Sequence, residues 1–171
     1  PLQSGCNATL RRMARRYTTE EFNAWVTAAR AAIPDLAVTS DVIVGFPGET
    51  DDEFAESLAF VREIGFSRVH VFPYSARQGT PAARMPGQVP AQIKAERARA
   101  MRAAGSDSQK RFSERFVGKT LGVLWESHRE KDDGTALWSG LTDNYLRVTA
   151  QSPVDLANRI LSTRLVALAG H

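Results

Sequence analysis

The sequence predicts an α/β domain with a parallel sheet, followed by a small all-β module. Strands and amphipathic helices alternate along the first part of the chain, the order typical of parallel strands joined by crossover helices. After Gly118 the pattern changes to short β-rich runs at close spacing. The 171 residues are enough for one domain and a small module. We therefore place a boundary near Val117, which divides the chain into residues 1–117 and 118–171.

Two capping boxes mark helix starts in the first domain. Thr18 with Glu21 precedes apolar residues at helical spacing, and Pro34 ends that helix. Thr50 with Glu53 opens the next helix in the same way. In each box the threonine side chain can accept from a free backbone N–H while the glutamate reaches back to the cap. The sequence therefore predicts that one helix begins directly after Thr18 and the other directly after Thr50.

Apolar, β-branched runs predict the strands around these helices. Strands are expected over residues 36–46 and 68–74, with a helix over 51–64 between them. A loop rich in proline and glycine follows over residues 75–90, and a long basic helix then begins at Pro90. We interpret the basic side chains of that helix as a solvated face.

The segment from Asp41 to Thr50, with sequence DVIVGFPGET, is the most informative part of the chain. A buried strand runs into a tight turn, and Gly45 permits another group to approach the backbone closely. In parallel α/β proteins, ligands collect at strand C-termini and helix N-termini. The segment is therefore either a plain strand-to-helix turn or part of a ligand site. Asp41 interrupts apolar residues, so we expect its carboxylate to have a partner, either a ligand or a group of the protein itself.

Composition narrows the class of protein. The chain is 43% hydrophobic, has no long apolar run and carries a net charge of +3, with an isoelectric point near 9.4. This predicts no membrane span and is compatible with nucleic acid as a partner. The single cysteine, Cys6, argues against a disulfide framework and fits the cytoplasm. Because the chain does not begin with methionine, we expect it to be the C-terminal part of a longer polypeptide.

The second domain is predicted to be a small barrel or open sheet. Its β runs are expected over residues 120–125, 136–141, 144–149 and 159–168. Small β-barrels bind RNA through backbone charge and base stacking. The tryptophans of this module are expected in its core, because so small a barrel needs large residues inside. The residues expected to contact RNA are Lys119, Lys131, Tyr145 and Arg147, with Tyr145 and Arg147 on one strand face.

Five motifs occur in an order that resembles a known family. They are Gln3–Cys6 (QSGC), Arg15–Phe22 (RRYTTEEF), Ser40–Thr50 (SDVIVGFPGET), Pro73–Ser75 (PYS) and Gly79–Ala83 (GTPAA). Together they resemble the radical S-adenosylmethionine methylthiotransferases, and among these the enzymes that act on threonylcarbamoyladenosine in tRNA. The tail from Gly118 to Val148 is similar to the small β domain of these enzymes, called TRAM, which is expected to hold tRNA. The resemblance covers nearly the whole chain.

The resemblance implies the C-terminal half of a partial (β/α)6 barrel followed by a TRAM-like β domain. It also implies S-adenosylmethionine and [4Fe–4S] clusters as cofactors. The family holds its catalytic cluster in a Cys-x3-Cys-x2-Cys loop, and one cysteine cannot form such a site. We therefore expect the clusters in a missing N-terminal region, no catalytic or metal-binding residue in this chain, and no activity of this chain by itself. Cys6 is expected to be a small residue in a tight loop.

The resemblance also implies which side chains approach the cofactor and the substrate. Arg16 is otherwise a plain surface residue, Tyr74 a core residue, and His70 a satisfied strand histidine. Arg77 and Thr80 are expected in a loop near the substrate. The residues expected to contact S-adenosylmethionine are Gln3, Ser4, Arg16, Asp41, Gly45, Phe46, Pro47 and Tyr74.

The function that follows is methylthiolation at C2 of N6-threonylcarbamoyladenosine next to the anticodon, by the full-length protein. Isopentenyladenosine in tRNA, or a residue of a ribosomal protein, are the alternative substrates within the family. A different class of function is a non-catalytic RNA-binding module in which the β tail is the functional part. The expected partners are tRNA and an electron donor such as a flavodoxin-type reductase. We expect a monomer in the cytoplasm, without a membrane partner.

Overall fold

The computed structural model describes residues 1–130 and 135–168. The chain has a mixed α/β architecture and falls into two compact units, one of residues 1–112 and one from Ser113 onward. Within the described residues, no helix combines the length and the apolar character that crossing a membrane requires.

The first unit is built around parallel strands. Strands β1 and β2 pair in parallel, and Gln3 forms a parallel bridge to Val42 on the other side of β1. The chain entering at Leu2 therefore lies beside β1 as the end of a further strand. The helix α1 was not predicted, because it is short and has no side-chain cap. The elements are α1 (Asn7–Arg12), α2 (Thr19–Ala32), β1 (Thr39–Val44), α3 (Asp51–Ile64), β2 (Arg68–Pro73), a 3₁₀ turn (Pro81–Arg84) and α4 (Ala91–Glu114).

The two capping boxes form as the sequence predicts. Thr18 accepts a hydrogen bond from the backbone N–H of Glu21, and the Glu21 side chain accepts one from the N–H of Thr18. Thr50 and Glu53 make the same reciprocal pair at the start of α3. Each box satisfies two N–H groups that no helical carbonyl can reach, which fixes where the helix begins.

The two faces of the parallel sheet differ sharply. Val42 and Val44 of β1 are buried against the helices, together with residues of α3 and α4. Asp41 lies on the opposite face, where it pairs in register with His70, and Phe72 on that face is 51% exposed. Strand alternation turns the Asp41 side chain away from the buried valines, on the face that it shares with Ile43.

The second unit is an antiparallel sheet with strand order β5-β4-β3-β6. Trp125 and Trp138 are each 2% exposed and form its core with Val123 and Leu156, as expected. A register shift after Trp125 marks a β-bulge in β3. The described strands form an open sheet, so closure into a barrel stays a prediction. The strands are β3 (Thr120–Glu130), β4 (Ala136–Thr142), β5 (Arg147–Ser152) and β6 (Arg159–Arg164).

The expected strand position of Tyr145 is wrong. Tyr145 precedes β5, in a turn with φ of +61°. The hydroxyl of Thr142 holds this turn by accepting a hydrogen bond from the N–H of Leu146 at 2.9 Å. Tyr145 and Arg147 therefore do not share a strand face by alternation.

Close packing at Gly140 gives a stability prediction for the second unit. A Cβ at Gly140 would meet the carbonyl oxygen of Leu124 and lie 2.8 Å from a methyl group of Val123, whereas a Cβ at Gly122 would meet only Ile160, at 3.7 Å. We expect Gly140→Ala to lower the free energy of unfolding by about 1–3 kcal/mol, the range for overpacking. Gly122→Ala is the matched control, and equal effects in urea unfolding would contradict the prediction.

Candidate functional site

Three chain segments end at one edge of the parallel sheet. They are the segment through Gln3, strand β1 and strand β2, which run in the same direction. The turn from Gly45 to Thr50 follows β1, and Tyr74 follows β2. Because loops at the carboxyl ends of parallel strands meet at the same edge, the structure brings most of the predicted cofactor contacts together there.

The polar residues before α1 are deeply buried. Gln3 is 7% exposed and has a positive φ of +67°. Its N–H donates to the carbonyl oxygen of Asp41, and its own carbonyl accepts from the N–H of Ile43. Ser4 is fully buried, and its Oγ accepts a hydrogen bond from the N–H of Cys6 at 3.3 Å. Cys6 is also buried, and burial raises the pKa of its thiol. These residues shape the start of the edge, whereas Arg16 lies exposed on the surface.

Asp41 offers an unpaired carboxylate on the open face of the sheet. It is half-buried, and its side chain makes no hydrogen bond or ion pair with the described residues. The sequence left two kinds of partner open for this carboxylate, a ligand or a group of the protein itself. In the described part of the chain, no backbone group and no arginine bonds to it. The neighbouring strand places His70 in register beside it. Two polar side chains therefore face the space over the sheet, where a ligand can approach them.

An aromatic pair lies between the two strand ends. The rings of Phe46 and Tyr74 meet edge to face, with centroids 5.3 Å apart. The N–H of Tyr74 donates to the carbonyl of Val44 at 2.8 Å, which continues the parallel pairing past the end of β2. The hydroxyl of Tyr74 is buried and has no hydrogen-bond partner among the described residues. An orphaned hydroxyl beside an aromatic ring fits a ligand with both a flat apolar part and polar groups, as adenosine has.

The space against Gly45 is filled by a side chain of the protein. Gly45 has φ of +71°, and a Cβ there would overlap Cγ of Lys94 and lie 3.0 Å from its Cδ. Lys94 crosses the glycine and donates from Nζ to the carbonyl oxygen of Tyr74 at 3.0 Å. The group that approaches Gly45 closely is thus Lys94 of α4, which ties both strand ends to that helix.

A buried ion pair closes the Gly45–Thr50 turn. Glu49 accepts hydrogen bonds from the N–H of Gly45 at 2.8 Å and from Arg97 at 2.7 Å. Arg97 also donates to the Glu49 carbonyl oxygen and to Asp51, at 3.0 and 2.7 Å. Burial raises the pKa of the Glu49 carboxyl, against the opposing effects of the Gly45 N–H and Arg97. The turn is therefore held by Glu49, which belongs to it, and by Arg97, which belongs to α4.

A second set of contacts holds the same turn from the other side. Arg12 of α1 pairs with Glu53, the glutamate of the α3 capping box, and donates to Thr9. Its hydrogen bonds are the main cause that lowers the pKa of the Glu53 carboxyl. The N–H of Gly48 donates to the carbonyl oxygen of Gly87 at 2.8 Å, so the two backbones touch. Pro47, in the same turn, is fully buried.

Sequence reasoning missed Glu49, Lys94 and Arg97. The basic residues of α4 were interpreted together as a solvated face, and this is wrong for Arg97, which is 6% exposed. A signal was present: Arg97 lies four residues before Met101, on the helix face that is buried. The buried positions of that face are Arg97, Ala98, Met101, Ala104, Gly105, Ser108 and Phe112.

Of the remaining predicted residues, two lie in the loop that follows β2 and the others belong to the second unit. Arg77 and Thr80 are joined within their loop, where the Thr80 hydroxyl donates to the Arg77 carbonyl at 2.8 Å. In the second unit, Lys119 lies over the ring of Phe116, and Tyr145 is 79% exposed. Lys131 lies outside the described residues.

The ion pair predicts a large effect on stability. We expect Arg97→Met to lower the free energy of unfolding by about 3–5 kcal/mol, because it leaves the buried Glu49 carboxylate without its counter-charge. Asp51→Asn is the control, because Asp51 is exposed and its pairing with Arg97 is worth about 1 kcal/mol or less. Adding Glu49→Gln to Arg97→Met should recover stability, since the amide still accepts from Gly45. A loss equal to that of Asp51→Asn in urea unfolding would contradict the prediction.

The Arg12–Glu53 pair predicts a pH dependence. The Glu53 pKa is lower in the folded chain than its ordinary value of 4.5, so the pair stabilises the fold above that pH and loses its effect as the pH falls through the folded value. We expect Arg12→Met to destabilise at pH 7 and much less at pH 3. The neighbouring exposed Arg11→Met serves as the control. A penalty for Arg12→Met that is equal at both pH values would refute this assignment.

Comparison with known proteins agrees with this geometry. Residues 1–61 match the model of the Radical SAM superfamily. The chain is 41% identical over 166 residues to threonylcarbamoyladenosine tRNA methylthiotransferase MtaB of Bacillus subtilis, covering 97% of this chain and 37% of that protein. It is 44% identical over 161 residues to tRNA-2-methylthio-N(6)-dimethylallyladenosine synthase of Acidothermus cellulolyticus, covering 91% and 32%. The chain thus spans about a third of the length of the curated relatives it matches. It belongs to the radical S-adenosylmethionine methylthiotransferase family.

Proposed function

We propose that this chain is part of a tRNA methylthiotransferase, and that the whole protein adds a methylthio group at C2 of N6-threonylcarbamoyladenosine next to the anticodon. The observation that carries the proposal is the 41% identity with the Bacillus enzyme over 97% of the chain. The unpaired Asp41 carboxylate on the exposed face of the parallel sheet supports it. Dimethylallyladenosine is the second candidate substrate, because the Acidothermus relative is named for it and is 44% identical.

The residues at the sheet edge fit S-adenosylmethionine. The unpaired Asp41 carboxylate can accept from ribose hydroxyls or an amino group, and the Phe46–Tyr74 pair offers an aromatic wall and a free hydroxyl. Gln3, Ser4, Gly45 and Pro47 shape the backbone around this space. Exposed Arg16 is proposed to pair with a carboxylate. When bound with a [4Fe–4S] cluster held elsewhere in the protein, this cofactor supplies radical chemistry and the methyl group.

The role of this chain in that chemistry is to bind and orient. Its turn from Gly45 to Thr50 is held by Glu49 and Arg97, so the edge is formed before a ligand arrives. A site formed in advance places the reacting groups without an ordering penalty at the moment of reaction. We also propose that Arg77 and Thr80 face the tRNA, that Lys119, Lys131, Tyr145 and Arg147 contact it, and that a flavodoxin-type protein supplies electrons. A cytoplasmic monomer fits such a partner set.

The proposal is tested by nucleoside analysis. The complete coding sequence is expressed in a bacterium that lacks its own tRNA methylthiotransferases, and digested tRNA is analysed by mass spectrometry. We expect the 2-methylthio derivative of N6-threonylcarbamoyladenosine, with the dimethylallyl derivative absent. If only the dimethylallyl derivative forms, the second candidate substrate is the right one. If both derivatives are absent, the proposed function is overturned.

Asp41 should matter for the cofactor more than for the fold. In the complete protein we expect Asp41→Ala to weaken S-adenosylmethionine binding by about 1.5–3 kcal/mol, the value of one hydrogen bond to a charged group. Calorimetric titration measures the binding, and the melting temperature should change little because Asp41 has no partner in the described chain. His70→Ala, a change at the paired strand position, is the comparison. Unchanged binding with a lowered melting temperature would show that Asp41 is structural.

The chain alone should not cleave S-adenosylmethionine. Its single cysteine cannot supply the three thiolates that hold a cluster with one open iron. The measurement is anaerobic iron–sulfur reconstitution of residues 1–171 followed by assay with dithionite. We expect no 5′-deoxyadenosine above a control without protein, and clear production refutes the prediction.

A further inference from the structure

The side chain of Lys94, near the start of α4, joins the ends of two strands. Its stem lies across Gly45, directly after β1, where an added Cβ would overlap Cγ of the lysine and lie 3.0 Å from its Cδ. Its ammonium group donates to the carbonyl oxygen of Tyr74, directly after β2, at 3.0 Å. Because Gly45 has no side chain that would displace the lysine, one residue contacts both strand ends.

The backbone of Tyr74 is held on two sides. Its N–H donates to the carbonyl oxygen of Val44 in β1 at 2.8 Å, and its own carbonyl accepts from Lys94. Among the described residues, no other donor reaches that carbonyl. A residue that is bonded at both its N–H and its C=O cannot rotate freely about its backbone torsions, so the direction in which its side chain leaves the backbone is fixed. Lys94 therefore supplies one of the two bonds that aim the Tyr74 ring.

The two aromatic rings of the candidate site depend on the backbone that Lys94 contacts. The Tyr74 ring meets the Phe46 ring edge to face at 5.3 Å, and the lysine Nζ lies 5.9 Å from the Tyr74 ring centroid. Phe46 follows Gly45, the residue that the lysine stem crosses. The backbone on each side of the aromatic pair is thus in contact with the same lysine, so the separation of the two rings depends on it.

Arg97 fixes the position from which Lys94 reaches the strand ends. The two residues are three positions apart on α4 and therefore lie on the same side of the helix. Arg97 is buried and bonds to Glu49 at 2.7 Å, whereas Lys94 is only half-buried. Water can therefore replace the lysine ammonium at the Tyr74 carbonyl, so removal of the ammonium changes the geometry of the site more than the stability of the fold.

We propose that Lys94 is a positioning residue for the cofactor. It acts through the carbonyl of Tyr74 and the backbone of Gly45, and it sets the spacing of the Phe46–Tyr74 pair that binds the adenine of S-adenosylmethionine. The lysine itself does not touch the cofactor. The proposal rests on the proposed function, in which this edge of the sheet binds S-adenosylmethionine. A pair of rings held at a fixed spacing binds a flat base without the cost of ordering it first.

Two substitutions of Lys94 in the complete protein with its clusters reconstituted test this role. Lys94→Met keeps an unbranched stem over Gly45 and removes the donor, whereas Lys94→Arg keeps a donor. Calorimetric titration with S-adenosylmethionine should show about five- to tenfold weaker binding for Lys94→Met, because the site must order itself when the cofactor binds. Lys94→Arg should stay within about twofold of the wild type, since a charged donor still reaches the carbonyl. In steady-state assays the KM for S-adenosylmethionine should rise in Lys94→Met while the KM for tRNA stays unchanged.

Hydrogen–deuterium exchange without cofactor separates positioning from general stabilisation. In Lys94→Met we expect faster exchange in the segments 44–50 and 73–76, which contain the two strand ends, and wild-type rates in the rest of the first unit. The melting temperature should change little. Faster exchange throughout the first unit would show that Lys94 stabilises the fold as a whole, and it would overturn the proposal.

Lys110→Met is the matched control for charge. It removes the same charge from the same helix at an exposed position about 24 Å further along the helix axis, and we expect it to leave the affinity for S-adenosylmethionine unchanged. Equal losses from Lys94→Met and Lys110→Met, an unchanged affinity of Lys94→Met, or a failure of Lys94→Arg to retain binding each overturn the proposal.

The role of Lys94 and the proposed function can fail separately. The modified nucleosides formed by the wild-type protein are measured beside the affinities of the variants. Methylthiolated tRNA from the wild type, with unchanged S-adenosylmethionine binding in Lys94→Met, overturns the positioning role and leaves the function in place. Binding that weakens in Lys94→Met, in a protein whose wild type methylthiolates no nucleoside, supports the positioning role and overturns the function. A wild-type protein that does not bind S-adenosylmethionine overturns both.

Discussion

The buried pair of Glu49 and Arg97 is the interaction on which the candidate site depends. One carboxylate accepts from the backbone of its own turn and from a helix that lies far along the chain. Because both charges are removed from water, neither is stable there without the other. The ion pair therefore forms only when the end of β1, the Gly45–Thr50 turn, the start of α3 and α4 all occupy their native positions. The edge of the sheet forms as one unit.

Such a pair fixes geometry more than it adds stability. The free energy lost by dehydrating two charges offsets most of their attraction, and burial indeed raises the Glu49 pKa despite its two donors. A hydrophobic pair of the same size would hold the helix as well but would not select one conformation of the turn. In a candidate binding site, we regard the selection of one turn conformation as the benefit of this pair.

Local patterns predicted much of the fold, and contacts distant in sequence explain most of what was missed. Both capping boxes depend on residues three positions apart, so the box of Thr50 and Glu53 could be predicted from the sequence. Arg97 was not, because its partner lies 48 residues away and a charged residue is normally solvated. Tyr145 was placed in a strand because nothing in its own residue type reveals the turn that Thr142 holds. The contacts to S-adenosylmethionine remain predictions, because they depend on a molecule that is separate from the polypeptide.

The loop between β2 and α4 is anchored at both of its ends. Lys94 holds the carbonyl of Tyr74 where the loop begins, and Gly87 receives the N–H of Gly48 shortly before α4 starts. The stretch between these anchors can therefore change in length and sequence without moving either strand. Such a loop can gain or lose residues at its tip while the sheet, the turn after β1 and the start of α4 keep their positions, so insertions here cost the fold less than insertions at either anchor.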